Sequence, residues 1–210
     1  MGIFDVFKKK EKEIAAQPQE ETPKIISTEK DPADFAALPQ FLYSPNCYVD
    51  DAFDKAGDGD ERTCGCCGVK STYYYRGFYS RENVDWLCPE CISSGRAAAK
   101  FDGSFIQDAE TTISDGSKTE RLFKQTPGYV TWQGEYWLTC CDDYCTFLGD
   151  AGMKELEEMG IVDEVLAEYG AQDAFSLDDV KRCLHKNGDM AGYLFHCEKC
   201  GKHRIWVDAN

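Results

Sequence analysis

Cys64-Gly65-Cys66-Cys67-Gly68 is answered downstream by Cys88-Pro89-Glu90-Cys91, two Cys-x-x-Cys hooks on either side of a short aromatic segment. Two intervening residues bring both sulfurs of a hook to one centre, and two hooks at this separation supply the four soft ligands of a tetrahedral metal site. The spacing therefore predicts a closed zinc site made by Cys64, Cys67, Cys88 and Cys91. Cys66 is the spare, since adjacent cysteines do not easily face one ion. A third hook, Cys197-Glu198-Lys199-Cys200-Gly201, lies near the end of the chain, and the cluster of unclaimed thiols that could complete it is Cys140, Cys141 and Cys145. The reading for a second site is Cys141, Cys145, Cys197 and Cys200, with Cys140 competing for a place. Gly68 and Gly201 each follow the second cysteine of a hook, where a residue free to take positive φ lets backbone N–H groups curl toward the thiolates.

The segments around the hooks predict an α+β fold of small β-hairpins and zinc-ribbon-like knuckles with several short helices. Thr72-Tyr73-Tyr74-Tyr75 and Val84-Asp85-Trp86-Leu87 favour strands, so a hairpin or meander is expected between the first two hooks. Ile92 to Phe101 reads as a helix ending at Asp102-Gly103, and Asp102 to Lys118 as polar and irregular. Val130 to Leu138 is an aromatic run leading into Cys140. Met153 to Tyr169 has apolar residues at helical spacing interrupted by Gly160, predicting two short helices or a kinked one. Ser176 followed by Asp179 resembles a capping box for a helix that stops before Asn187-Gly188. The closing order of Gly192 to His196, the Cys197–Gly201 turn, and Arg204 to Asp208 predicts a strand, a metal-binding turn and a strand.

The chain has 210 residues, is 42% apolar and 13% aromatic, and carries 23 Lys plus Arg against 38 Asp plus Glu, a formal net charge of -15. That is enough apolar content for a core. Eight thiolates and two zinc ions would take the balance to about -19. Such a field repels phosphate backbones and disfavours nucleic acid as a partner. No apolar signal region follows the amino terminus and no run approaches the roughly 18 residues of a membrane span. The expectation is a cytoplasmic protein, in whose reducing surroundings Cys-x-x-Cys pairs mean metal. Met1 to Lys10 sets Ile3, Phe4 and Phe7 on one helical face before three lysines, a weak candidate for membrane-surface contact. Glu11 to Ala37 has the composition of a linker. The predicted organisation is an extension over 1–37 and a zinc-binding domain over 38–210.

Catalytic signatures are sparse. The chain has three histidines, no Gly-x-Ser-x-Gly and no phosphate loop. His196 and His203 flank the last hook but read as packed or exposed strand residues, and Cys47 and Cys183 as small buried ones. Asp54, Asp58 and Asp60 do not match a calcium-loop spacing. Glu135, Asp142 and Asp143 are the best candidates for a paired acid and base, and read better as solvated or capping carboxylates. With four thiolates available to each site, both ions are expected to be closed and structural, and no catalytic residue is assigned.

The chain resembles the CbrC family of small cysteine-rich bacterial proteins. The resemblance rests on Leu38-Pro39-Gln40-Phe41, Cys64-Gly65-Cys66-Cys67-Gly68, Leu87-Cys88-Pro89-Glu90-Cys91-Ile92, Lys100-Phe101-Asp102-Gly103-Ser104-Phe105, Thr126-Pro127-Gly128-Tyr129, Cys141-Asp142-Asp143-Tyr144-Cys145 and Phe195-His196-Cys197-Glu198-Lys199-Cys200-Gly201. It spans Leu38 to Asp208 and favours Cys141 over Cys140 as the ligand. It implies a link to tolerance of a colicin-type toxin and brings no known reaction. The expected function is a zinc-binding, non-enzymatic interaction protein whose acidic surface meets a basic protein partner. The alternatives are a metal-stabilised hydrolase or nucleic-acid-processing enzyme, and a zinc or redox sensor.

Overall fold

Alternation in Gly192-Tyr193-Leu194-Phe195 and in Arg204-Ile205-Trp206-Val207 sends successive side chains to opposite faces, which is the pattern of a sheet buried on both sides. The computed structural model describes residues 32–169 and 175–210. In it the strand Met190–His196 pairs antiparallel with His203–Ala209 over seven residues, from Met190 opposite Ala209 to His196 opposite His203. Its other edge pairs antiparallel with Thr146–Asp150, and a register shift falls between Leu194 and Phe195. Gly149 sits opposite Leu194 there with φ of 129°, a backbone region open mainly to glycine.

The two faces of this three-stranded sheet carry separate cores. On one face Phe147, Tyr193 and Phe195 pack with Tyr129 and Trp137. Ring centroids there lie 4.4 Å apart for Tyr129 and Phe147 and 5.5 Å for Trp137 and Phe195. On the other face Leu148, Leu194, Ile205 and Val207 meet Leu156, Val165, Tyr169 and Val180 from the helices that follow. A third core gathers Phe41, Tyr48, Phe53, Tyr75 and Phe105 beside Cys64, Cys88 and Cys91. Such interdigitated aromatics bury large areas at low conformational cost, so the three cores are the main apolar contribution to stability.

Among the described residues six α-helices complete the mixed α/β fold: α1 (Pro89–Ser93), α2 (Arg96–Phe101), α3 (Gly116–Gln125), α4 (Met153–Met159), α5 (Val162–Tyr169) and α6 (Leu177–Cys183). The helix expected over Ile92 to Phe101 is two helices, because Gly95 takes φ of 71° between them. Gly160, with φ of 71°, ends α4 and separates it from α5, as the interruption in spacing predicts. Ser176 caps α6, its Oγ accepting from the Asp179 backbone N–H at 3.1 Å. That helix stops at Cys183, short of the expected Asn187-Gly188.

The expected irregular stretch from Asp102 gives way at Gly116 to α3, capped by Asp115, whose side chain accepts from Ser117 N–H. The aromatic runs between the hooks and before Cys140 form only two-residue ladders, Tyr73–Tyr74 against Asp54–Lys55 and Tyr136–Trp137 against Asp108–Ala109. The readings made for residues 1–31 lie outside the described residues. No helix of the described residues is long and apolar enough to cross a membrane.

Candidate metal centres

The first hook is a tight knuckle. Gly68 N–H donates to the Cys64 carbonyl at 2.8 Å, and Cys64 N–H to the Val69 carbonyl at 2.9 Å. The terminal hook repeats this pattern, Gly201 N–H to the Cys197 carbonyl at 2.9 Å and Cys197 N–H to the Lys202 carbonyl at 2.8 Å. Gly68 and Gly201 have φ of 75° and 73°, the left-handed conformation that the curl requires. Two stretches of unrelated sequence thus make one backbone motif, and each points two sulfurs the same way. The partner hook of the first knuckle is a helix start: Cys88 is the N-cap of α1, Pro89 its first residue, and Cys91 lies one turn in.

Cys64, Cys67, Cys88 and Cys91 come together with all four sulfurs within 4.8 Å of one another. The Cys67 and Cys88 sulfurs are 3.8 Å apart, and Cys88 N–H points at the Cys64 sulfur at 3.4 Å. Cys66 stays outside the group, its carbonyl accepting from Lys100 Nζ at 2.7 Å.

The second group is Cys140, Cys141, Cys197 and Cys200, again within 4.8 Å. Here the structure differs from the expected set, which contained Cys145 in place of Cys140. The cause is a two-residue hairpin. Thr139–Cys140 pairs with Asp143–Tyr144, and the loop residues Cys141 and Asp142 have φ of 52° and 56°. Positive φ at both loop positions is the type I′ geometry that matches strand twist, usually met by Asn-Gly. The reversal brings the adjacent Cys140 and Cys141 sulfurs to 3.7 Å of each other and Cys140 to 3.6 Å from Cys200. Cys145 has already passed back into the aromatic core at 1% exposure, its N–H donating to Leu138 and its carbonyl accepting from Trp137 Nε1 at 2.8 Å. All twelve cysteines are free thiols.

The two groups differ in solvent contact. Cys64, Cys88 and Cys91 are buried, whereas Cys141 and Cys200 are exposed. Burial pushes the Cys64 thiol up, but N–H groups of Cys88, Cys67 and Cys66 outweigh it and bring it down to about 7. Cys200 is likewise brought down to about 7, first by the Lys202 backbone N–H and then by the surrounding cysteines. Burial pushes Cys88 up to about 12, and it also raises Cys91 and Cys140. Four sulfurs this close cannot all ionise without a cation among them. Either group could hold a metal ion.

A profile of the uncharacterised protein family UPF0167 matches residues 38–209. The chain belongs to that family. UPF0167 protein PA1536 of Pseudomonas aeruginosa is 36% identical over 180 residues, covering 81% of this chain and 97% of that protein. UPF0167 protein Mb2317 of Mycobacterium bovis is 34% identical over 183 residues, covering 81% and 93%. No solved structure is significantly similar to this UPF0167 chain.

The carboxylates weighed as an acid–base group fall into two environments. Asp142 accepts from Ser114 N–H at 2.7 Å and from its hydroxyl at 2.6 Å. Asp143 accepts from Tyr43 Oη at 3.0 Å and pairs with Lys118 and Lys199 at 3.4 and 3.6 Å. Both therefore brace the turn that carries Cys141. Glu135 sits elsewhere, accepting from Tyr79 Oη at 2.8 Å. The His196 and His203 rings lie 4.9 Å apart between centroids, tilted by 48°, outside the sulfur group. Cys47 is 1% exposed in the third core, beside Tyr48 and Phe53, and Cys183 packs on the helical core.

Proposed function

We propose that this UPF0167 chain is a cytoplasmic, non-enzymatic interaction protein of the CbrC type, whose two four-cysteine groups each close on a structural zinc ion. The extension expected over 1–37 precedes one zinc-binding domain expected over 38–210, and that domain also takes in Phe35, which stacks on Tyr48 with ring centroids 5.4 Å apart. The observation that carries the metal reading is the sulfur spacing. A zinc ion with four thiolates at about 2.3 Å sets its sulfurs roughly 3.8 Å apart, and the distances of 3.8, 3.7 and 3.6 Å agree with the edges of that tetrahedron. Four thiolates fill the coordination sphere, which fits a structural ion with no open position for substrate. The hydrolase alternative loses its constellation, because Glu135 shares no site with Asp142 and Asp143.

The interaction reading rests on the formal charge of -15, which steers cationic partners toward the surface. The CbrC resemblance supports a basic toxin protein as one such partner. Elemental analysis of the purified protein tests the metal reading, with two zinc ions per chain expected; their absence, or iron in their place, refutes it. The partner reading expects affinity to fall steeply with added salt. Salt-indifferent binding refutes that part alone.

A further inference from the structure

A cavity of about 410 Å³ opens between the Tyr75–Tyr79 segment and the Gly128–Glu135 segment, outside both cysteine groups. Its lining includes Glu135, a carboxyl in a residue only 5% exposed. Glu135 has no cationic partner among the described residues. Its hydrogen bonds from other described residues, Tyr79 Oη at 2.8 Å and Gln107 N–H at 3.3 Å, both go to Oε2. Oε1 lies against Gly128, where a Cβ would stand 2.1 Å away. A buried carboxyl is costly to keep without a partner, and the wall here is shaped to keep it.

Two further glycines of the lining make the same kind of room. A Cβ on Gly77 would come within 2.6 Å of Tyr75 Oη, and one on Gly134 within 1.6 Å of Gln107 Oε1. The Tyr75 hydroxyl in turn accepts from Gly128 N–H at 2.9 Å. A polar cluster of Tyr75, Tyr79, Gln107 and Glu135 is therefore seated on bare backbone at three points. Burial holds the Glu135 carboxyl above its ordinary range, opposed in part by its own backbone N–H and by the bonds from Tyr79 and Gln107. At the rim Trp132 is 56% exposed and Val130 62% exposed, an indole face and an aliphatic surface beside the acid. Asp54 also lines the cavity, and the one cation there, Arg76, is already bridged to it at 2.7 Å.

We infer that this cavity binds an organic cation, a primary ammonium or guanidinium on an apolar stem, with its charge on Glu135 and its stem against Trp132 and Val130. The Trp132 indole and Val130 offer the stem exposed apolar surface, and the volume lies at the lower end of the ligand-cavity range. An anionic ligand would meet the Glu135 carboxylate with Arg76 already engaged. A metal ion would need converging ligands, and among the described residues only the two cysteine groups converge. The cation can come from a free small amine or from a Lys or Arg side chain of a protein. In the second case the cavity is the anchoring point of the interaction reading above, and it rests on that reading for the partner alone.

The test is calorimetric and fluorescence titration of the full-length, metal-loaded protein with agmatine, with N-acetyl-arginine amide, and with an Arg- and Lys-rich peptide. Saturable binding of at least one free cation is expected, with Trp fluorescence changing on addition. Glu135→Gln keeps the shape of the side chain and should weaken that binding at least tenfold, and Trp132→Ala, at an exposed position, roughly three- to tenfold. Zinc content and thermal unfolding of both variants are measured alongside, so that a folding defect is recognised. Absence of saturable binding by any probe overturns the site, as does unchanged binding by Glu135→Gln. Free cations binding without the peptide leaves the site standing and refutes the basic-partner reading. Peptide binding that is indifferent to Glu135→Gln does the reverse.

Discussion

Glu110 and Arg204 form an ion pair whose loss should be costly. Arg204 Nη1 lies 2.7 Å from Glu110 Oε2 and Nη2 3.1 Å from Oε1, a two-pronged contact between side chains only 13% and 23% exposed. The same Oε2 accepts from Thr139 N–H at 2.7 Å and from its hydroxyl at 2.8 Å. Glu110→Ala therefore takes the counter-charge from a buried guanidinium and the acceptor from Thr139 N–H, while Arg204 Nη1 keeps the Thr139 carbonyl and the Thr139 hydroxyl keeps Thr112. Removing one partner of a buried pair costs roughly 3–5 kcal/mol, and each unsatisfied donor about 1–3 kcal/mol. These estimates describe overlapping losses, and water reaching the emptied site relieves part of them, so the expected cost is about 3–4 kcal/mol. Urea unfolding reads it: with a slope near 2 kcal/mol/M, the midpoint should fall by roughly 1.5–2 M. Arg204→Ala should cost a similar amount, and the double variant Glu110→Leu/Arg204→Met should regain most of the loss, because replacing both charges removes the desolvation penalty too. The bonds from Arg204 and Thr139 hold the Glu110 carboxyl low despite its burial. Its contribution is thus fully present above the ordinary carboxylate range and is lost as pH falls through the depressed value. Single variants within 1 kcal/mol of the parent, or a double variant equal to the sum of the singles, would refute the reasoning.

Cys140→Ser should remove one of the two expected zinc ions, while Cys145→Ser keeps both and costs about 1–2 kcal/mol for a hydroxyl placed in an aromatic core; elemental analysis and urea melts separate them, and the opposite metal contents would restore Cys145 to the ligand set. Because Cys141 and Cys200 are exposed and Cys64, Cys88 and Cys91 are buried, a chelator or mild oxidant should release one equivalent of zinc quickly and the second slowly, followed by a colorimetric zinc indicator. Release of both in one phase would show that exposure does not set the order. Asp150 is pushed up to about 6, chiefly by burial, with Asp208 adding to the rise and Lys186 opposing it. The folded protein therefore holds that proton to higher pH than the unfolded chain, and its stability should rise as pH falls from about 6 toward 4. Asp150→Asn should abolish that slope and raise stability near neutral pH by about 1–3 kcal/mol, less where water screens the charge. A thermal-melt series from pH 4 to 8 with parallel curves for parent and variant would overturn this.

What could be read from the sequence is what short-range chemistry decides. The grouping of Cys64, Cys67, Cys88 and Cys91 follows from two hooks whose geometry is set within four residues each, and the Gly160 break and the Ser176 cap are equally local. The choice between Cys140 and Cys145 was not local in this sense. It turns on a type I′ loop built from Cys141 and Asp142, two residues that only tertiary bracing by Ser114, Lys118 and Lys199 holds at positive φ. The α3 helix has no sequence signal of helical period because its two large apolar residues, Leu122 and Phe123, are adjacent and the rest is polar or glycine. Its one legible signal was Asp115 two residues before Ser117, a cap without an apolar stripe behind it. The cavity around Glu135 had no linear signature at all, since Tyr79 and Gln107 approach it from 56 and 28 positions away.

The two cysteine groups tie together segments that apolar packing alone leaves weakly joined. The first joins the Cys64 knuckle to the start of α1. The second joins the Cys140–Cys141 turn to the tip of the hairpin whose strands line both sheet cores. The ladders around them are two residues long, too short to fix a register by themselves. Glu135 lies between these fastenings, five residues before Cys140 in sequence, and its partner Tyr79 comes from the loop between Cys67 and Cys88. The cavity thus has one wall on the segment closed by the first group and one on the segment closed by the second. If each group holds the proposed ion, losing either one should loosen the cavity before it unfolds the sheet, since the seven-residue pairing and the buried aromatics of the sheet involve neither group's ion.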